Sequence, residues 1–66
     1  MYVAVNGERQ SLEAGTTVAG LLSALGVSRA GVAVAVNERV VRSGALGEHE
    51  LRDGDSVEII RAVAGG

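Results

Sequence analysis

Three short stretches of this 66-residue chain hold the groups that could do chemistry. The first, Glu48-His49-Glu50, sets an imidazole between two carboxylates, a combination suited to acid–base work or to part of a metal site. His49 is the only histidine and there is no cysteine, so a zinc site built from His and Cys is not available. A solvated polar loop is the favoured reading of this stretch, with an acidic contact surface for a partner as the alternative. The second, Asp53-Gly54-Asp55, offers two carboxylates around a glycine. Calcium asks for six or more oxygens, so a tight turn before a strand explains it better. Metal ligation is therefore not assigned to any residue. The third stretch is the end of the sequence, Val63-Ala64-Gly65-Gly66.

Nothing else in the composition equips the chain as a catalyst. A serine nucleophile needs a positioned base, and the one histidine would have to serve. All six cations are arginine, so no lysine is present to form a Schiff base. A substrate, carrier or binding module fits this inventory better than an enzyme. A net charge of −2 also argues against general nucleic-acid binding, which depends on a basic surface. The apolar opening Met1–Val5 meets Asn6-Gly7 at once, too short for a signal core or a membrane span. The expectation is a soluble cytoplasmic protein.

The Gly-Gly doublet is a weak signal by itself, arising in an average chain about once in 200, and more often in one this rich in glycine. Its context strengthens it, because an apolar strand runs straight into it without a turn. Four extended residues reach roughly 13 Å, far enough to enter a deep active site in another protein. Gly65 and Gly66, lacking Cβ atoms, suit a narrow channel and leave the last carboxylate unhindered. That carboxylate, ionised at neutral pH, is able to attack the α-phosphate of ATP. No residue of this chain is equipped to catalyse that step, so a partner enzyme would do so.

The elements that must position this tail follow from the patterning. Alternation across residues 1–6 and 8–13, with Asn6-Gly7 between, predicts a β-hairpin with a type I′ turn. Residues 16–26 predict a helix capped by Thr16 or Thr17 and closed by Gly26. Its apolar stripe is Val18, Leu21, Leu22 and Leu25. Gly20 lies inside that helix, where it costs roughly 1 kcal/mol relative to Ala; close approach to a strand would explain it. Val32–Asn37 reads as a strand, residues 38–41 as a short fourth, and Ala45–Leu46 as a helical turn in a polar loop. After the turn at residues 52–55, residues 56–62 form the last strand. No repeat, linker or low-complexity segment stands out.

Without disulfides or metal, so small a domain depends on packed aliphatic side chains. The order of hairpin, helix, strand, short strand and strand corresponds to an α+β, ubiquitin-like β-grasp fold. A mixed sheet of four to five strands would pack on one main helix. Residues 1–62 would make the domain and residues 63–66 a flexible tail. In the last strand, Val57 and Ile59 should face the helix, sending Glu58, Ile60 and Ala62 to the other side. Ile60 is then either a scattered exposed residue or part of a docking face, and both readings stay open.

Taken together, "VAVAVNERVV", "LRDGDSVEIIRAVAGG" and "TTVAGLLSALG" resemble the small sulfur carrier family of thiamine biosynthesis, ThiS. The similarity spans essentially the whole chain. It rests on Asn37 after the third strand, Gly54-Asp55 before the last, and Ala62-Val63-Ala64-Gly65-Gly66 as the ending. The resemblance implies that an E1-like, ThiF-type enzyme adenylates Gly66 with ATP and Mg, neither being bound by the carrier itself. Sulfur from a donor such as a cysteine desulfurase would then give a thiocarboxylate, consumed by a ThiG-type thiazole synthase. Gly65, Ala64 and Val63 carry over as tail contacts in the partner's channel, and Ile60, Glu58 and Ala62 form the candidate docking surface.

Two features depart from the family. A proline often precedes the arginine matching Arg42 and an aromatic follows it; here Val41 precedes and no aromatic follows. The same fold and ending also suit carriers for molybdopterin, cysteine or specialised-metabolite synthesis. The molybdopterin-synthase small subunit, MoaD, is usually longer and has aromatics near its first helix that are missing here. A TGS-type regulatory or RNA-associated β-grasp module shares the flow of the sequence but has no need of the Gly-Gly end.

Overall fold

The structure is a computed structural model and describes residues 1–61. Its strands are β1 (Tyr2–Val5), β2 (Glu8–Ser11), β3 (Val32–Val36), β4 (Arg39–Val41) and β5 (Ser56–Arg61). One helix, α1 (Val18–Ala24), follows β2, and a 3₁₀ turn at Ser43–Ala45 lies between β4 and β5. The five strands line up as β2-β1-β5-β3-β4. The central pair β1–β5 is parallel, and the other neighbours are antiparallel. Two hairpins flanking a parallel centre over one helix make the β-grasp arrangement that the element order predicts.

Turn chemistry accounts for both hairpins. Asn6 and Gly7 have φ of 49° and 85°, the left-handed pair that a two-residue hairpin requires. Asn37 and Glu38 take φ of 51° and 70°, so they form a second loop of the same kind. The sequence places Asn37 in the third strand and Glu38 in the fourth, because no glycine marks a turn there. The register overrides that expectation: Val36 pairs with Arg39, leaving exactly these two residues to reverse the chain. Strand β2 ends earlier than residue 13, although one rung continues past it. Leu12 N–H donates to the Met1 carbonyl (2.7 Å), and the Met1 ammonium donates to the Leu12 carbonyl (2.8 Å).

Of the two candidate caps, Thr17 is the one used; its hydroxyl oxygen accepts from Gly20 N–H at 3.1 Å. The helix closes as a Schellman motif, with Val27 N–H donating to the Leu22 carbonyl and Gly26 N–H to the Ser23 carbonyl. Gly26 has the φ of +70° that this closure requires. Val18, Leu21 and Leu22 are fully buried, but Leu25 is largely exposed. The stripe loses its fourth member because Leu25 is already the C-cap, and Val27 packs on the core beyond it. Gly20 also departs from expectation. A Cβ there would meet only Thr16 and Thr17 side-chain atoms, at 3.4 Å, so no strand approaches it.

The core joins Val3, Val5, Val18, Leu21, Leu22, Val34, Val36 and Val57 with Leu46 and Leu51 of the loop before β5. That loop also completes the helix. Val18 N–H donates to the His49 carbonyl (2.9 Å) and Ala19 N–H to the Leu46 carbonyl (2.8 Å). Two first-turn donors that α1 cannot satisfy internally are thereby paired. No helix among the described residues is long and apolar enough to cross a membrane.

Candidate functional site

Strand β5 ends at Arg61, the last described residue, so what holds β5 fixes the point from which residues 62–66 continue in sequence. Its outer neighbours are β1 on one edge and β3 on the other. Each of those strands ends in Val-Ala-Val-Asn, at residues 3–6 and 34–37, a recurrence easily missed in so short a chain. Both asparagines adopt positive φ, and both turn their carboxamides onto β5. Because β1 runs parallel to β5 and β3 antiparallel, the two side chains land at opposite ends of it.

At the start of β5, Ser56 N–H donates to Asn37 Oδ1 (2.9 Å), and Asn37 Nδ2 donates to Asp55 Oδ1 (3.0 Å). Asp55 Oδ2 accepts from Arg52 N–H (2.8 Å), and Asp53 Oδ1 accepts from Tyr2 N–H (2.7 Å). Gly54, at φ +88°, donates its N–H to the Tyr2 carbonyl. Asp53-Gly54-Asp55 is thus a turn whose carboxylates are engaged with backbone and amide donors, as its composition suggests.

Near the exit of β5, the ladder to β1 reaches Val5 opposite Val57, and Asn6 N–H donates to the Val57 carbonyl. The Asn6 side chain then supplies the next rung. Its Oδ1 accepts from Ile59 N–H at 2.9 Å, and its Nδ2 reaches the Ile59 carbonyl at 3.4 Å. On the other edge, pairing with β3 continues to Val32 opposite Arg61. Sequence patterning identifies Asn6 only as a turn residue. The repeated tetrapeptide was the signal for its second role.

The faces of β5 alternate as expected. Val57 is buried and Ile59 packs against the core, while Glu58 is exposed and Ile60 is 58% exposed. The register sets Ala33 beside Ile60, Ala35 beside Glu58, and Val40 beyond Ala35. Val40 is 75% exposed, so Ile60 belongs to an apolar outer face with one carboxylate in it. Toward β2, the Arg9 guanidinium sits 4.1 Å from the Tyr2 ring centroid, a cation–π contact. The remaining site candidates, Ala62, Val63, Ala64, Gly65 and Gly66, lie outside the described residues, as does the boundary between domain and tail.

Glu48-His49-Glu50 belongs to the loop before β5, where it contributes backbone groups. The His49 carbonyl caps α1, and Glu48 and His49 N–H both donate to the Ala45 carbonyl (3.0 Å each). No group of three or more His, Cys, Asp or Glu among the described residues is arranged to hold a metal ion.

A family model described as the ThiS family matches residues 3–66. The chain belongs to the ThiS family. It is 33% identical to the sulfur carrier protein ThiS of Escherichia coli over 66 residues, covering the whole of both chains. It is 41% identical over 62 residues to ThiS of Thermus thermophilus, covering 94% of this chain and 95% of that one. The crystal structure of ThiS from Geobacter metallireducens superposes with a TM-score of 0.85 at 35% identity, covering all of both chains. The β-grasp fold is therefore that of the ThiS family. A different kind of relative is the thiazole synthase of Magnetococcus marinus, 41% identical over all 66 residues. The chain spans only 20% of that protein, so there a ThiS-like segment is joined to a much longer sequence.

Proposed function

We propose that this ThiS-family chain is a cytoplasmic sulfur carrier for thiazole formation in thiamine biosynthesis, with Gly66 as its working residue. The Gly66 carboxylate attacks the α-phosphate of ATP in the site of a ThiF-type adenylating enzyme, which holds the Mg and releases pyrophosphate. A sulfur nucleophile, derived from a donor such as a cysteine desulfurase, displaces AMP at the acyl carbon. Where that nucleophile is a persulfide, a thiol reductant cleaves the resulting acyl disulfide, and the thiocarboxylate left on Gly66 delivers its sulfur to a ThiG-type thiazole synthase. The chain itself acts as a co-substrate. Gly65 lets the tail enter a narrow channel, with Val63 and Ala64 as the contacts behind it, and Ile60, Glu58 and Ala62 as docking residues.

The observation that carries this reading is the end-to-end match to a protein named sulfur carrier ThiS, with no gap in coverage on either side. The joined thiazole synthase sequences support that enzyme as the acceptor. The test is intact-mass analysis after incubation with a ThiF-type enzyme, Mg·ATP and a persulfide source. The expected product has one oxygen of Gly66 replaced by sulfur. A chain that stays unmodified with every partner present, or that is modified after deletion of Gly66, sinks the proposal. Replacing Gly65 with a bulky residue should block activation, and circular dichroism separates that outcome from unfolding.

A further inference from the structure

Three of the six arginines, Arg39, Arg42 and Arg52, line one open groove of about 680 Å³. It lies between the β3–β4 hairpin and the loop that precedes β5. Val40, Val41 and Ala45 contribute apolar surface, and His49 adds an imidazole. Two of the eight acidic residues, Glu50 and Asp55, also line it. With His neutral, the groove therefore carries one net positive charge on a chain whose net charge is −2, leaving −3 elsewhere. One of the two carboxylates, Asp55, is already engaged by Asn37 Nδ2 and Arg52 N–H.

We propose that this groove docks an acidic segment of a partner protein in which carboxylates alternate with aliphatic side chains. Arginine presents a planar fork of donors that matches a carboxylate, and the valines offer apolar contact between such pairs. A dense phosphate ligand suits the groove less well. Phosphate sites are typically cradled by backbone N–H groups, and here those of Asn37, Ala45, His49, Arg52 and Asp55 are consumed within the fold. Glu50 and Asp55 would also repel concentrated negative charge.

The position sets this surface apart from the Arg61 end of β5. The groove reaches Asp55, just before β5, whereas Arg61 ends that strand. The six residue steps from Asp55 to Arg61 separate the two points by roughly 20 Å at the usual rise per residue. A partner seated there leaves the Arg61 end of β5 and most of the outer face around Ile60 uncovered. The inference does not depend on the carrier chemistry.

The test is an NMR titration of the ¹⁵N-labelled full chain with a capped hexapeptide of alternating Glu and Leu, in the absence of any adenylating enzyme. Saturable shifts are expected at Val40, Val41, Arg42 and Ala45, weakening as salt is raised. Each of Arg42→Gln and Arg52→Gln should weaken binding roughly threefold, the scale of an exposed charge pair. The amide spectrum itself shows whether each variant is folded. A Lys–Leu peptide of the same length should give no shifts in the groove. The proposal is overturned if the acidic peptide gives no saturable shifts, or if its shifts centre on Ile60 and Ala33. It is equally overturned if inorganic pyrophosphate occupies the groove and the peptide does not.

Discussion

The two ends of β5 are held by the same residue type in two different ways. At the Ser56 end, Asn37 is one member of a network that includes Asp55 and the backbone of Arg52, with Asp53 and Gly54 tying the adjoining turn to Tyr2. At the Ile59 end, Asn6 acts alone, through one bond of 2.9 Å and one of 3.4 Å. The start of the strand is braced by several elements, and the end nearest the tail by a single carboxamide and the β3 ladder. The strand is thus anchored more heavily at its base than at its tip.

The sharpest way to break this comparison is to make the same change at both asparagines. Asn37→Asp discards the donor to Asp55 and sets two carboxylates about one hydrogen-bond length apart, costing about 2.5 kcal/mol. A domain of this size should then melt lower by roughly 10 °C or more. Asn6→Asp keeps the acceptor for Ile59 N–H and loses only the longer contact, so its cost should stay within about 0.5 kcal/mol. Urea unfolding of the two variants at neutral pH measures the difference directly. Equal losses would show that the two ends are not braced differently.

A smaller effect is expected from Asn6→Ala, which removes the side-chain rung and places alanine at positive φ, costing about 1.5 kcal/mol. Its distinguishing sign is local. Amide hydrogen exchange should accelerate at Ile59 while Ser56 stays protected, and uniform acceleration would mean that β5 opens as a unit. A change in the opposite direction is expected away from β5. Gly20→Ala should stabilise the chain by up to about 1 kcal/mol, since no strand meets the added methyl and helical glycine is costly. A loss of stability in thermal melts would mean that the threonine cap at Thr17 does not tolerate it.

Sequence patterning located the elements well because their signals are local. Asn6-Gly7 marks a hairpin by itself, Val18, Leu21 and Leu22 share a face at helical spacing, and Gly26 supplies a left-handed closure. Three features escaped it, each for a physical reason. Asn37-Glu38 is a turn without glycine, imposed by the pairing of Val36 with Arg39. Leu25 falls on the helical stripe yet is exposed, because it is the C-cap residue and Val27, beyond the closure, packs on the core instead. Asn6 read only as a turn residue and Asn37 only as a strand end, because their side-chain partners lie 53 and 18 to 19 positions away.

What the sequence determined alone is the repertoire: an aliphatic core, arginine as the sole basic side chain besides one histidine, and a final Gly65-Gly66 doublet. Those are matters of composition and of local periodicity. Only the tertiary structure decided how that repertoire is deployed. Strand direction sends two identical Val-Ala-Val-Asn segments to opposite ends of one strand. Chain reversal gathers Arg39, Arg42 and Arg52 around one groove. Loop carbonyls from Leu46 and His49 complete a helix nearly thirty residues earlier. Each depends on contacts between segments distant in the chain, and those are set by how the sheet and helix bury their apolar faces together.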